Sequence, residues 1–189
     1  DPNQGILRPT LVIGLGQFGR ATISWIQQEL ISHYGQDGHP LLHCMSLDTD
    51  ATAPASHLCT KESTEDLLLM GLNRPSRYLR SRDTLPPVED WLNTNLLYRM
   101  PRTLTTSGIR SLGRLAFIEH YSAFTAKLER DIQELLSPES MQKAVQKSAA
   151  SIRHSVPRIV IITHLGGGTK VILLEGNRPY RIRLVARAG

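Results

Sequence analysis

The chain of 189 residues has little of what marks several large classes of protein. Its two cysteines, Cys44 and Cys59, make neither a disulfide framework nor a zinc motif. Cys44 lies in an apolar run and reads as a small core residue. Aromatic residues are 5% of the total and do not interleave with basic ones, so no base-stacking surface is expected. The seven histidines are scattered, with no H-x-x-x-H pair on a helix, so no metal-ligand set emerges. No apolar run approaches the roughly 18 residues that would cross a bilayer. The opening Asp1-Pro2-Asn3-Gln4-Gly5 lacks a signal-peptide pattern, and a cytoplasmic setting is the expectation. Ser107 and Ser111 stand outside any nucleophile elbow, and no catalytic residue is assigned.

The bulk composition is globular, at 40% hydrophobic and 21% charged, and the length suits one domain over residues 1–189. The net charge of +5 is uneven. Residues 101–189 hold 14 of the 22 basic and 6 of the 17 acidic residues, giving +8, which leaves −3 for the first hundred. A solvated basic surface explains this without a nucleic-acid partner.

Thr10–Ile13 reads as a buried strand, 18–34 as a helix with Ile23, Ile26, Leu30 and Tyr34 at helical spacing, and Leu41–Leu47 as a second strand. Between 54 and 106 the pattern is irregular. Residues 64–72 and 88–99 are expected as short helices, and no strand is expected there. Residues 113–136 form the clearest helix, with Leu115, Ile118, Tyr121, Phe124, Leu128, Ile132 and Leu135 on its apolar face. Ser137-Pro138 stops it, and 139–153 adds a short polar helix. Arg158–Thr163 is a buried strand rich in β-branched residues. Residues 170–174 and 180–186 complete the strands; Arg181, Arg183 and Arg187 alternate with Ile182, Leu184 and Ala186 as on the wet face of an edge strand.

Three glycine-bearing turns punctuate this order: Gly14-Leu-Gly16-Gln17-Phe18-Gly19, Gly108-Ile-Arg110-Ser111-Leu-Gly113 and Gly166-Gly167-Gly168-Thr169. An acidic turn, Asp48-Thr49-Asp50, lies between the first and second. Glycine admits strained turns and close approach of a ligand to the main chain. Backbone N–H groups at such turns, aimed by helix N-termini, cradle phosphate. One turn alone is a common strand–helix connection; together they indicate one nucleotide held by several loops. A dinucleotide-binding regulatory module using only Gly14–Gly19 and Asp48 is the alternative, although Asp48 stands 29 residues after Gly19 instead of about 20. A nucleotide-free scaffold that keeps the fold is a third reading.

The order of these motifs resembles the nucleotide-binding half of the tubulin and FtsZ superfamily. Leu47-Asp48-Thr49-Asp50-Ala51-Thr52-Ala53 is similar to the N-T-D-A-x-A segment of FtsZ, and His164-Leu165-Gly166-Gly167-Gly168-Thr169 to the tubulin signature G-G-G-T-G-[ST]-G. Ile13-Gly14-Leu15-Gly16 and Ser111-Leu112-Gly113-Arg114-Leu115-Ala116 are nearest to the bacterial tubulin-like proteins. The resemblance spans about residues 10–169, with 54–106 poorly matched. It departs at Lys170, where the family has glycine, and at Gln17 and Phe18, where the division protein has glycines, so the chain reads as a truncated or shortened member. The resemblance implies a Rossmann-like α/β domain, a mainly parallel sheet flanked by helices, that binds GTP or GDP with Mg2+. Gly14, Gly16, Gln17, Gly19 and Arg20 would surround the α- and β-phosphates, and Asp48 and Asp50 would lie in the magnesium and phosphate region. Gly108, Arg110, Ser111 and Gly113 would serve the γ-phosphate, and Gly166, Gly167, Gly168 and Thr169 would complete the cradle. It further implies self-assembly into filaments. GTP hydrolysis would draw on carboxylates from a loop of the next subunit, and no N-x-D-x-x-[DE]-like stretch follows Thr169.

Overall fold

A computed structural model describes residues 6–35, 38–51, 66–80, 91–147, 151–152, 157–164 and 181–187. The sheet is built around β2 (Thr10–Leu15), which is buried along its whole length. It pairs in parallel with β3 (Leu42–Asp48) on one side and β6 (Arg158–His164) on the other. β4 (Leu67–Leu69) extends the sheet beyond β3, and β7 (Arg181–Arg187) beyond β6. All these pairings are parallel, and the order is β4-β3-β2-β6-β7. β1 (Ile6–Leu7) and β5 (Ser151–Ile152) form a separate parallel pair. Counting only the strands of the large sheet, the order is that of the doubly wound α/β folds, reversing between β2 and β6.

Parallel strands covered on both faces read as continuous apolar runs, which is why Thr10–Ile13 and Arg158–Thr163 were legible. Alternation along each strand then divides the core. Val12, Cys44 and Ile162 face Ile23 of α1 (Gly16–Tyr34). Leu11, Ile13, Leu15, Met45, Leu47, Ile159 and Ile161 face the larger core. There they meet Leu112, Leu115 and Ala116 of α4 (Arg110–Glu119) and Phe124 and Leu135 of α5 (Tyr121–Leu135).

Several local expectations are corrected. Where 64–72 was expected to be helical, Leu67–Leu69 is a strand, because β3 offers it a ladder: Ser46 N–H donates to Asp66 O (2.7 Å) and Met70 N–H to Asp48 O (2.7 Å). The helix expected over 113–136 is two helices meeting at His120, whose backbone leaves helical geometry (φ −101°, ψ 14°). Its imidazole Nε2 bonds Gly71 O (2.9 Å), while Glu119 is held by the Tyr78 hydroxyl (2.6 Å) and the Asn73 amide. Tertiary bonds at the junction outweigh continuity of one helix. Ser137-Pro138 stops α5 and also starts α6 (Pro138–Lys147): Ser137 Oγ accepts from Ser140 N–H (3.1 Å) as an N-cap, and proline suits the first helical position. α6 ends at Lys147, and β5 occupies 151–152. α2 (Pro75–Arg80) was not expected; α3 (Asn95–Tyr98) is one turn within the expected 88–99. Residues 170–174 lie outside the described residues.

Candidate functional site

The strand register brings Leu15, Leu47 and Thr163 level at the carboxyl edge of the sheet. In doubly wound sheets ligands bind at this edge, at the point where strand order reverses. A cavity of about 440 Å³ opens there. Among the described residues its wall is drawn from four places: Leu15–Phe18, Asp48–Asp50, Thr105–Gly108, and Thr163 with His164.

The first segment turns directly from β2 into α1. Gly16 makes the bend with φ +66°, which an L side chain rarely adopts. No side chain caps α1, and no acidic residue stands in its first turn. Its first-turn residues Gly16, Gln17 and Phe18 line the cavity, so the positive end of its dipole lies at the wall. Gly14 and Gly19 do a different job. A Cβ on Gly14 would lie 2.5 Å from Gly19 O; one on Gly19 would lie 2.5 Å from Gly14 C and 2.8 Å from Ile162 O. These two glycines let α1 rest directly on β2 and β6, the packing role of a glycine in such fingerprints.

The second segment is built by Asp48 on itself. Its Oδ1 accepts from Thr49 N–H (2.7 Å) and Asp50 N–H (3.3 Å), folding the turn back over the strand end. The carboxyl is buried, and its Oδ2 has no hydrogen-bond partner among the described residues. Burial pushes the Asp48 carboxyl above the usual carboxylate range, opposed by those two N–H groups and by the Arg20 charge. Arg20, buried on α1, donates from Nη1 to Asp50 O (3.3 Å) and so ties the turn to the first segment.

The third segment is the loop before α4. Leu104 (φ +56°) and Ser107 (φ +44°) hold positive φ without being glycine, and Gly108 follows at +80°. Such strain persists where the surroundings over-determine it, and it clusters at functional sites. Thr106 N–H donates to Thr49 Oγ1 (3.4 Å), joining this loop to the second segment. α4 also starts without a side-chain cap or a first-turn acid. The fourth segment is the end of β6, where the His164 ring lies 6.0 Å from the Phe18 ring.

Of the residues anticipated from sequence, the cavity gathers Gly16, Gln17, Asp48, Asp50 and Gly108. Gly14, Gly19 and Arg20 support the wall from behind. Arg110, Ser111 and Gly113 lie in the first turns of α4, next to the wall residue Gly108 but not among those lining it. Gly166, Gly167, Gly168 and Thr169 lie outside the described residues; β6, which precedes them, ends at the cavity. Sequence reasoning missed the hydroxyls of Thr105, Thr106 and Thr163; the run Thr105-Thr106-Ser107 before Gly108 was the available signal.

The wall fits a phosphate-bearing ligand: the uncapped N-terminus of α1, the loop that leads into the uncapped α4, a hydroxyl-rich lining and a turn at Gly16 without a Cβ in the way. Among the described residues the wall shows no magnesium-ligand set of its own. Asp48 spends Oδ1 on its own turn and buries Oδ2, and no group of three metal-ligating side chains occurs among the described residues. Magnesium at nucleotide sites rests mainly on phosphates and water. No helix among the described residues is long and apolar enough to cross a membrane.

A family model described as tubulin like matches residues 11–170. No curated protein and no solved structure matches the chain.

Proposed function

The chain belongs to the tubulin-like family, and on that premise we propose that its cavity binds a guanine nucleotide with the phosphates against the N-termini of α1 and α4. One observation carries this reading: the uncapped start of α1 and the loop leading into the uncapped α4, separated by about ninety residues of chain, line one cavity at the strand-order reversal. Backbone N–H groups from both can converge on one anion, while Arg20 adds a buried positive charge behind them. The family supplies the preference for guanine. A dinucleotide module needs the first glycine turn and Asp48 but gives the Thr105–Gly108 segment no task, so that segment's place in the wall favours the tubulin-like reading.

Phosphoryl transfer asks a protein mainly for positioning and charge neutralisation, and this wall offers both. Hydrolysis and filament growth follow, in this reading, when a neighbouring copy brings carboxylates to the nucleotide. Calorimetric titration with GTP, GDP, ATP and NADH, each with magnesium, tests the reading. Tighter binding of GTP and GDP than of ATP and NADH is expected. Preference for NADH selects the dinucleotide module, and no heat from any of the four selects the scaffold.

A further inference from the structure

Asp48 holds a carboxyl whose two oxygens live in unequal surroundings. Oδ1 takes two backbone N–H groups and so shapes the cavity wall. Oδ2 is buried without a donor among the described residues. An ionised carboxylate with one buried, unpaired oxygen is costly, and an uncharged carboxylic acid in the same place costs less.

The charges around it fall on two sides. Arg20, from α1, favours the anion, and Asp50, on the same turn, disfavours it. The Thr105–Gly108 segment brings hydroxyls and no charge. Among the described residues, His164 at the end of β6 and Arg110 at the start of α4 complete the ionisable groups near the wall. Burial is the dominant influence and raises the carboxyl's affinity for a proton. A phosphate group arriving in the cavity without a divalent cation adds negative charge beside Asp48 and raises that affinity again.

We propose that anion binding in this cavity is coupled to protonation of Asp48, so that phosphate-bearing ligands bind more tightly as the pH falls through the range in which this buried carboxyl titrates. The proposal rests on the nucleotide reading above and adds its regulation. By linkage, the ligand raises the proton affinity of Asp48 by the same factor as the proton raises affinity for the ligand. One coupled proton sets a ceiling of about tenfold in Kd per pH unit.

The test is calorimetric titration of the full chain with GDP in magnesium-free buffer across pH 5 to 8, for the parent and for Asp48→Asn. Asparagine keeps an oxygen for the two N–H groups and cannot ionise. The ligand's own phosphate titration is common to both proteins and cancels in the comparison. Running both in a His164→Gln background removes the imidazole's contribution. The parent should gain affinity toward low pH by up to tenfold per unit more than Asp48→Asn, and the variant should bind better than the parent at pH 8. Carbon-13 NMR of the parent's carboxyls keeps the proposal testable if the variant does not fold. Asp48 should titrate above the ordinary aspartates without ligand and higher still with GDP. Parallel pH profiles, or an Asp48 resonance that GDP does not move, overturn the coupling alone. Absence of GDP binding at every pH removes the nucleotide reading and the coupling together.

Discussion

A single methyl group at Gly19 should do more harm than its size suggests. The added Cβ would stand 2.5 Å from Gly14 C, 2.7 Å from Gly14 Cα and 2.8 Å from Ile162 O. Carbon atoms in comfortable contact sit about 3.5–4.0 Å apart, so each contact is short by roughly 1 Å. The obstacles are backbone atoms of two central strands, which cannot swing aside as the end of a side chain can. The helix must lift, and Ile23, the α1 residue in the smaller core cluster, must lift with it. Overpacking of this kind costs about 1–3 kcal/mol. Alanine returns up to about 1 kcal/mol through its better helix propensity, which sets the net loss near 1–2 kcal/mol. For a chain of this size, each kcal/mol corresponds to about 2–4 °C in Tm, so Gly19→Ala should melt roughly 2–8 °C lower. Gly14→Ala fills the same gap from the other side, with Gly19 O at 2.5 Å and Ile23 Cγ1 at 2.7 Å. The double variant should therefore lose less than the sum of the two, because the first methyl has already lifted the helix. Thermal unfolding followed by circular dichroism measures all three. An unchanged or raised Tm for Gly19→Ala, or strict additivity, would show that α1 does not rest on β2 through this pair.

Other outcomes follow from the same geometry. Arg20→Met removes the donor to Asp50 O and the positive charge near Asp48; it should weaken GDP binding by about tenfold, a loss within the range of one charge-assisted hydrogen bond, and calorimetry reads it. Gly108→Val has open space around its Cβ, so its cost is purely the positive φ of +80°; it should lose about 1–2 kcal/mol in denaturant unfolding and weaken nucleotide binding. Tyr78→Phe strips the hydroxyl that donates to Glu119 Oε2 and accepts from Asn73 N–H, and should cost about 1–3 kcal/mol in the same assay. His39 is buried, accepts from Leu41 N–H at Nδ1 (3.2 Å), and has its proton affinity lowered by burial and by Lys147. Its folded form prefers to stay neutral, so the unfolded chain takes the proton first and stability should fall as the pH drops through 6.5, the ordinary imidazole value. Asparagine at position 39 should flatten that part of a Tm-against-pH curve.

What could be read without coordinates was whatever short-range physics decides. The buried strands Thr10–Ile13 and Arg158–Thr163 announce themselves because a covered parallel strand needs apolar residues on both faces. The helix ending at Tyr34 was legible from its 3.6-residue period and from Gly35, whose φ of +85° closes it. The motif order, strand to glycine turn to helix to strand to acid, was enough to point to the family. β4 was hidden because three residues of leucine carry no period, and only a neighbouring ladder makes them a strand. The break at His120 was hidden because its cause, Gly71 O and the Asn73–Tyr78–Glu119 group, lies more than forty residues away.

The glycine fingerprint shows the same division at the level of the site. Local chemistry settled that Gly14, Gly16 and Gly19 belong to a tight strand-to-helix connection, since glycine bends readily and lets backbones approach closely. Which glycine bends the chain, and which two merely let backbones touch, depended on where α1 lies over β2 and β6. In the same way the sequence alone marked Asp48 as an acid in a turn. Its buried, half-satisfied carboxyl exists only because β3, α1 and the loop before α4 close around it, and burial is a property no short stretch of chain can confer on itself.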